Sequence, residues 1–389
     1  MSAYSSPSKP LCITSVETLR CGAGFRDFCF VKMSTDGTLP DGKPLVGWSE
    51  YLEERNIGVT QVIEWMGSLV VGHDPRPYAK LVAQLQSNTR HVAGGIAQQG
   101  IAAIENALLD VVGKAYGVPC CALFGGPLRT RLPVYWSHCG SFRVGFHQHL
   151  HSPFTGKPVP PLRSLDGVRA LCDEVKRSGH TSLKTNIFHF DETDASSSPG
   201  PGTMYMPGFG GGDNSPELNV TQPLLRSLVR QMRTFREACG DEIGIKLDLN
   251  YNFKTDGFLQ VVRALTPDAL GGAGLDWIEL DTYDPQALRQ IRDAAPMPIA
   301  SLESLMGRRA LRPFLEAGAV DVAIIDPLWN GVGESVRMAA LCEVNARMHA
   351  RTHARTHART HARTHAHGDG TRAPPASANH LARGRRCMR

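Results

Sequence analysis

The residue types able to do chemistry here gather at the ends of apolar runs. Lys184 closes TSLK, Asp248 and Asn250 close IGIKLDLN, Glu279 closes LDWIE, Glu303 closes MPIASLE and Asp326 closes DVAIID. Short apolar runs of this kind read as buried strands of a parallel sheet, so these groups stand at strand ends. A single carboxylate in such a place is usually a paired structural charge. Carboxylates on successive strands, all at the same end, repel one another strongly unless a cation lies between them. An all-oxygen donor set suits Mg²⁺, which keeps several waters and leaves room for a substrate oxygen.

The elements that must hold these groups follow from periodicity. From Leu132 onward short apolar runs alternate with helical patterns: PVYWSHCG, VRALCDEVKRSG, TSLKTNIF, QPLLRSLVRQMRTFREACG, IGIKLDLNYN, GFLQVVRALTP, LDWIELD, PQALRQIRDAA, MPIASLES, GRRALRPFLEAG, DVAIID and GESVRMAALCE. Alternation at this spacing predicts parallel strands joined by crossover helices. It fits the first six units of a (β/α)8 barrel, whose chemistry sits at the C-terminal strand ends. An open doubly wound sheet ranks second, because no Gly-rich phosphate turn follows the first strand. Before the barrel, residues 11–36 alternate apolar and polar positions as antiparallel strands do. A helical region over 58–116 follows, ending at Gly117. The fold class is therefore α/β: an N-terminal α+β domain over 1–128, then a barrel-type domain over 129–343. A Gly/Ser/Pro-rich insert at 191–219 reads as a lid or a surface loop on the catalytic side.

Composition narrows the partners. A hydrophobic fraction of 42% and a charged fraction of 20% are those of a globular protein, and no run of 18 apolar residues suggests a membrane span. The amino terminus has no signal-peptide pattern, and the 10 cysteines lack metal-type spacing. Free thiols point to a reducing, cytoplasmic setting. The net charge is +5, but residues 344–389 carry +9, which leaves −4 on the rest. A mildly acidic body argues against nucleic-acid binding by the folded part.

The motifs SLKTNI, KLDLNYNF, WIELD, SLESL and DVAIIDPLWNGVGE, with ALLDVVGKAYGVPCCALFGG before them, resemble the enolase superfamily. Within it the likeness is to mandelate racemase/muconate-lactonizing-type enzymes and their acid-sugar dehydratases, and it runs from Leu11 to Glu343. The resemblance implies that residues 1–128 form a capping domain. It implies that Asp248, Glu279 and Glu303 are Mg²⁺ ligands, that Asn250 supports the first of them, and that Asp326 orients a catalytic histidine. Lys184 resembles the first lysine of a Lys-x-Lys motif whose second position here is Asn186. The implied substrate is a small sugar acid. Loss of its α-proton gives an ene-diolate, and loss of the β-hydroxyl then gives a 2-keto-3-deoxy acid; a racemase or cycloisomerase would use the same intermediate. An even-numbered homo-oligomer is implied where the barrel is complete.

Further candidates are weighed singly. Tyr135, His138 and Arg143 lie just past the first barrel strand, within reach of substrate; His138 reads equally as a satisfied strand-end histidine or as a site residue. Tyr51, beside Glu50 in GWSEYLEE, resembles the capping loop that closes over substrate. His180 precedes a strand at its N-terminal end and reads as structural. Asp281 and Asp284 read as helix-start groups.

The family pattern stops at Glu343, before the strand expected to carry the histidine base. Residues 346–366 read ARMHARTHARTHARTHARTHA, which a GCAC microsatellite read in triplets would encode. The expectation is a barrel lacking its last strands, with 344–389 an unfolded low-complexity tail from a mis-spliced or truncated reading. Such a chain would retain the metal cradle without its base, and its barrel would have open edges.

Overall fold

A computed structural model describes residues 11–24, 26–53, 57–152, 155–190, 203–207 and 218–345. Most of the 191–219 insert and the repeat tail lie outside the described residues. The described residues all belong to one compact unit, which ends at Asn345.

The N-terminal part opens with a three-stranded antiparallel meander: β1 (Ile13–Gly22), β2 (Asp27–Thr38) and β3 (Pro44–Tyr51). Alternation drives it. Cys29, Val31 and Met33 point inward along β2 and are at most 1% exposed. Three helices cover that face: α1 (Val59–Val70), α2 (Tyr78–Asn88) and α3 (Gly95–Tyr116). The close approach of α3 to β3 requires Gly47. A β-carbon there would run into the Ala107 carbonyl and the Val111 side chain. The expected helical region over 58–116 thus divides into three helices.

The second part is built from βα units around its own apolar core. α4 (Ser141–Gly145) and α5 (Leu165–Ser178) precede β4 (Ser182–Thr185). A small hairpin, β5 (Phe188–His189) with β6 (Thr203–Met204), precedes α6 (Gln222–Cys239). Then come β7 (Gly244–Asp248), α7 (Thr255–Ala264), α8 (Pro267–Leu270), β8 (Trp277–Glu279), α9 (Pro285–Ala294), β9 (Ile299–Ser301), α10 (Gly307–Glu316), β10 (Val322–Ala323) and α11 (Pro327–Asn330). A last helix, α12, spans 332–345. The parallel sheet runs β10-β9-β8-β7-β4. Its register pairs Asp248 with Glu279 and Glu279 with Ala300.

One expected strand is not formed. PVYWSHCG makes a single bridge, Trp136 to Leu183, flanked by the Trp136 N–H to Ser182 O and Cys139 N–H to Lys184 O bonds. Its outer side has no partner strand among the described residues, and Leu132 and Val134 are 69% and 67% exposed. The backbone turns out of the extended region at His138, φ 49, and Gly140, φ 90, which ends the ladder against β4 after Trp136. No helix of the described residues is long and apolar enough to cross a membrane.

Candidate functional site

The parallel sheet delivers its charged residues to one end. Lys184 is the third residue of β4, Asp248 closes β7 and Glu279 closes β8; all three are at most 8% exposed. Glu303 lies two residues past β9 and Asp326 three past β10, both partly exposed.

Lys184 binds two of these carboxylates. Its Nζ donates to Glu279 Oε2 at 2.6 Å and lies 3.2 Å from Asp248 Oδ2. Burial alone would lower its pKa, but Asp248 and Glu279 outweigh burial and raise it, so the ammonium is kept. The carboxyls shift upward as well. Burial, with the repulsion of Asp248, pushes Glu279 up to about 8. Burial, Asp248 and Glu303 push Asp281 up to about 7. Glu303 is raised by burial and by Asp248 and Asp326. One lysine charge therefore serves several carboxyl groups.

Two amides hold the first strand end. Asn250, in the left-handed region at φ 51, donates to Asp248 Oδ1 from its backbone at 3.0 Å and from Nδ2 at 2.5 Å. Asn186 donates to the Asp248 carbonyl at 3.2 Å. It accepts from Ser141 Oγ at 2.6 Å, and its own carbonyl accepts from Gln231 at 2.7 Å. His138 Nδ1 lies 3.4 Å from Asn186 Oδ1. The residue keeps a solvent-exposed face. Protein crowded around the ring, together with Lys184, nevertheless lowers its pKa and favours neutral imidazole. Beneath this layer Tyr135 takes Lys184 and Lys246 over its ring at 6.0 and 5.2 Å. Lys246 is itself paired with Asp276 at 2.6 Å. Asp326 accepts from the Leu328 N–H at 2.7 Å and caps α11; burial raises its pKa.

Some candidates fall elsewhere. Tyr51 is 2% exposed, inside the N-terminal core, with its hydroxyl on Thr60 at 2.8 Å. It packs that core rather than facing substrate, because the inward alternation of β3 carries it there. Arg143 is committed to Glu174 on α5 through bonds of 2.9 and 2.7 Å. Asp284 caps α9 as a helix-start group. Asp281, read as a group of that kind, instead joins the acidic cluster and accepts from Ser304 at 3.4 Å. Arg26, at the β1–β2 turn, escaped the sequence reading. It stands close enough to His138 to help lower that pKa. Its only signal in the sequence is a cation in a Gly/Ala turn.

The donor chemistry fits a hard divalent cation: oxygen ligands on adjacent strand ends, of which Glu279 and Glu303 have pKa values raised by burial and by the charge of Asp248. Among the described residues no three acidic, His or Cys side chains converge as a ready-made ligand set. Lys184 takes up two of the carboxylates instead.

The comparisons agree with this architecture. Residues 167–379 match the sequence profile of the Enolase C-terminal domain-like family. A D-galactonate dehydratase of Ralstonia nicotianae is 34% identical over 320 residues, covering 81% of this chain and 68% of that protein. A D-galactarolactone cycloisomerase of Agrobacterium fabrum is 27% identical, covering 71% of this chain and 59% of that protein. Among solved structures, a proposed L-alanine-DL-glutamate epimerase of Burkholderia xenovorans is 40% identical with a TM-score of 0.76, covering 86% of this chain and 78% of that one. The same protein has been solved with magnesium and fumarate. A profile match over more than half the chain, joined to strand-end acids on a parallel sheet, places the chain in the enolase superfamily, as a member of the Enolase C-terminal domain-like family.

Proposed function

We propose that the chain removes the proton alpha to a carboxylate with the help of Mg²⁺, and that its substrate is a sugar acid dehydrated to a 2-keto-3-deoxy acid. The observation that carries this reading is the row of Asp248, Glu279 and Glu303 at the ends of three adjacent parallel strands, with Lys184 as the cation between two of them. The dehydratase relative at 34% identity and the magnesium-bound neighbour at 40% support it. On this reading residues 1–128 cap a barrel-type domain over 129–343.

Asp248, Glu279 and Glu303 would hold the ion. When bound, it supplies a Lewis acid toward a substrate carboxylate and the negative charge that builds there. Lys184, fixed between two acids, presents positive charge to the same face and holds its proton at Nζ. Asn250 and Asn186 keep Asp248 in place from its side chain and its backbone. His138, neutral and anchored near Asn186, is able to take a proton. Asp326 would orient a histidine base, the role its place after β10 resembles.

A second reading, racemisation, epimerisation or cycloisomerisation through the same ene-diolate, is favoured by the cycloisomerase and epimerase likenesses. NMR of a panel of sugar acids in D₂O, with Mg²⁺ or with chelator, separates the outcomes. A keto-deoxy acid appearing only with Mg²⁺ supports dehydration. Solvent deuterium in unchanged substrate or its epimer supports the second reading. Mg²⁺ binding without turnover marks a cradle that lacks its base, and no Mg²⁺ binding sinks both readings.

A further inference from the structure

Gly331-Val332-Gly333 follows α11 directly, and the strand-end acids do not explain why glycine stands at both ends of it. The reason lies on α3, in the N-terminal part. Glu105 is 3% exposed. A β-carbon at Gly331 would collide with its Oε2, and one at Gly333 with its Oε1. The carboxyl accepts the Gly333 N–H at the start of α12, where a helix N-terminus favours negative charge.

Its neighbours on α3 extend the seam. Asn106 Oδ1 accepts from the Val332 N–H at 2.9 Å, and its Nδ2 donates to the Pro327 carbonyl at 3.0 Å. Gln98 donates to the Asn330 carbonyl at 3.1 Å. Asn330, 1% exposed, passes the connection on: its Oδ1 accepts from the Gly307 N–H at 2.8 Å, and its Nδ2 donates to the Leu305 carbonyl at 3.3 Å. A continuous run of hydrogen bonds thus joins α3 to the turn that begins at Asp326 and to the turn that follows Glu303.

We propose that Glu105 is a positioning residue for the strand-end acids, setting the Asp326 turn directly and the Glu303 turn through Asn330. The proposal rests on reading those acids as the site. Glu105 itself touches nothing reactive, and the chemistry stays where the strands place it. Glu105 acts by filling the gap that the two glycines leave.

The same contact makes the seam pH-dependent. Glu105 is faced by Arg337 and Glu334 on α12 and by Tyr78 on α2; Arg308 on α10 binds Glu334 at 2.9 Å. Burial pushes the carboxyl up to about 7, against the pull of Arg337 and the Gly333 N–H. A group that ionises more readily once exposed favours opening as pH rises. The amides of Val332 and Gly333 should therefore exchange faster, after correction for intrinsic rates, on going from pH 5.5 to pH 8.

Hydrogen exchange by mass spectrometry on the full chain, alongside calorimetric Mg²⁺ titration, tests this. In Glu105→Ala the peptides over 302–309 and 326–334 should exchange roughly tenfold faster, the loss expected for a buried hydrogen bond, while α5 stays unchanged and Mg²⁺ binds several-fold more weakly. Glu105→Gln should restore both and lose the pH dependence seen in the parent chain. The proposal is overturned if the 302–309 peptide keeps its protection, if α5 loosens equally, or if Gln rescues no better than Ala. Should the Ala variant fail to fold, the comparison of parent and Gln variant across pH decides: pH-independent exchange in the parent overturns it. A parent chain that binds no Mg²⁺ counts against the metal reading, while the exchange pattern judges the seam separately.

Discussion

Lys184 is the residue on which the acidic cluster depends most, because it is the cation between Asp248 and Glu279. Lys184→Met removes that charge and leaves buried acids facing one another. Breaking a buried pair costs about 3–5 kcal/mol, so urea unfolding in chelator should show a loss of that order; turnover by an active form should fall by about a hundredfold or more. Asn250 gives a finer test, because its φ of 51 combines a backbone demand with two bonds to Asp248. Asn250→Ala loses the side-chain bond and must also hold the left-handed region, a penalty of about 1–2 kcal/mol. Asn250→Gly loses the bond alone and should be the more stable of the two in the same unfolding assay. Equal stabilities would mean that the backbone conformation costs nothing there. The strand-end acids were legible because each closes an apolar run, a pattern local in sequence. The grip of Lys184 on two of them was not. It depends on β4 lying beside β7 in one register, and no single segment encodes that. Tyr51 misled for the same reason: a motif position does not say which face of β3 the side chain takes.

At the scale of elements, local periodicity carried most of the fold. The helices over 222–239, 285–294 and 307–316 and the strands ending at Thr185, Asp248, Glu279, Ser301 and Ala323 fall inside the segments that alternation marked out, and the helices over 165–178 and 255–264 begin two or three residues before theirs. The failure at PVYWSHCG is instructive, because a strand is stabilised by its ladder and not by its own residues. The chain turns at His138 and Gly140 before a ladder can build, so that segment keeps one bridge and exposes Leu132 and Val134. Packing between elements supplies its own prediction. Gly47 lets α3 rest on β3, and any side chain there meets the Ala107 carbonyl and Val111. Gly47→Ala should cost about 1–3 kcal/mol by overpacking, read as a lower urea midpoint with an unchanged slope. A wild-type midpoint would show that the helix can move away freely.

For the whole molecule the buried acids shift upward together and outnumber the opposite shifts, which are those of Asp74 beside Arg76 and Glu174 beside Arg143. Glu279, Asp281 and Glu105 are raised to about 8, 7 and 7 from ordinary values of 4.5, 3.8 and 4.5, chiefly by burial. A carboxyl raised on folding binds its proton more tightly in the folded chain than in the unfolded one. Its contribution is fully present below about pH 4 and is lost as pH rises through the folded value. In chelator, the melting temperature should therefore fall steadily from about pH 5 to pH 8 and then level off. This is the reverse of the usual protein, whose carboxylates are held below their ordinary values. A divalent ion changes the balance, because it takes the place of protons on the same oxygens. Mg²⁺ should raise the melting temperature by mass action, and by more at pH 8 than at pH 6, where protons still compete for Glu279. Differential scanning calorimetry at both pH values, with and without Mg²⁺, reads the difference directly. Na⁺ at equal ionic strength controls for screening. An Mg²⁺ increment independent of pH would separate the ion from these acids, because a cation held by Asp248, Glu279 and Glu303 must displace the proton that burial keeps on Glu279.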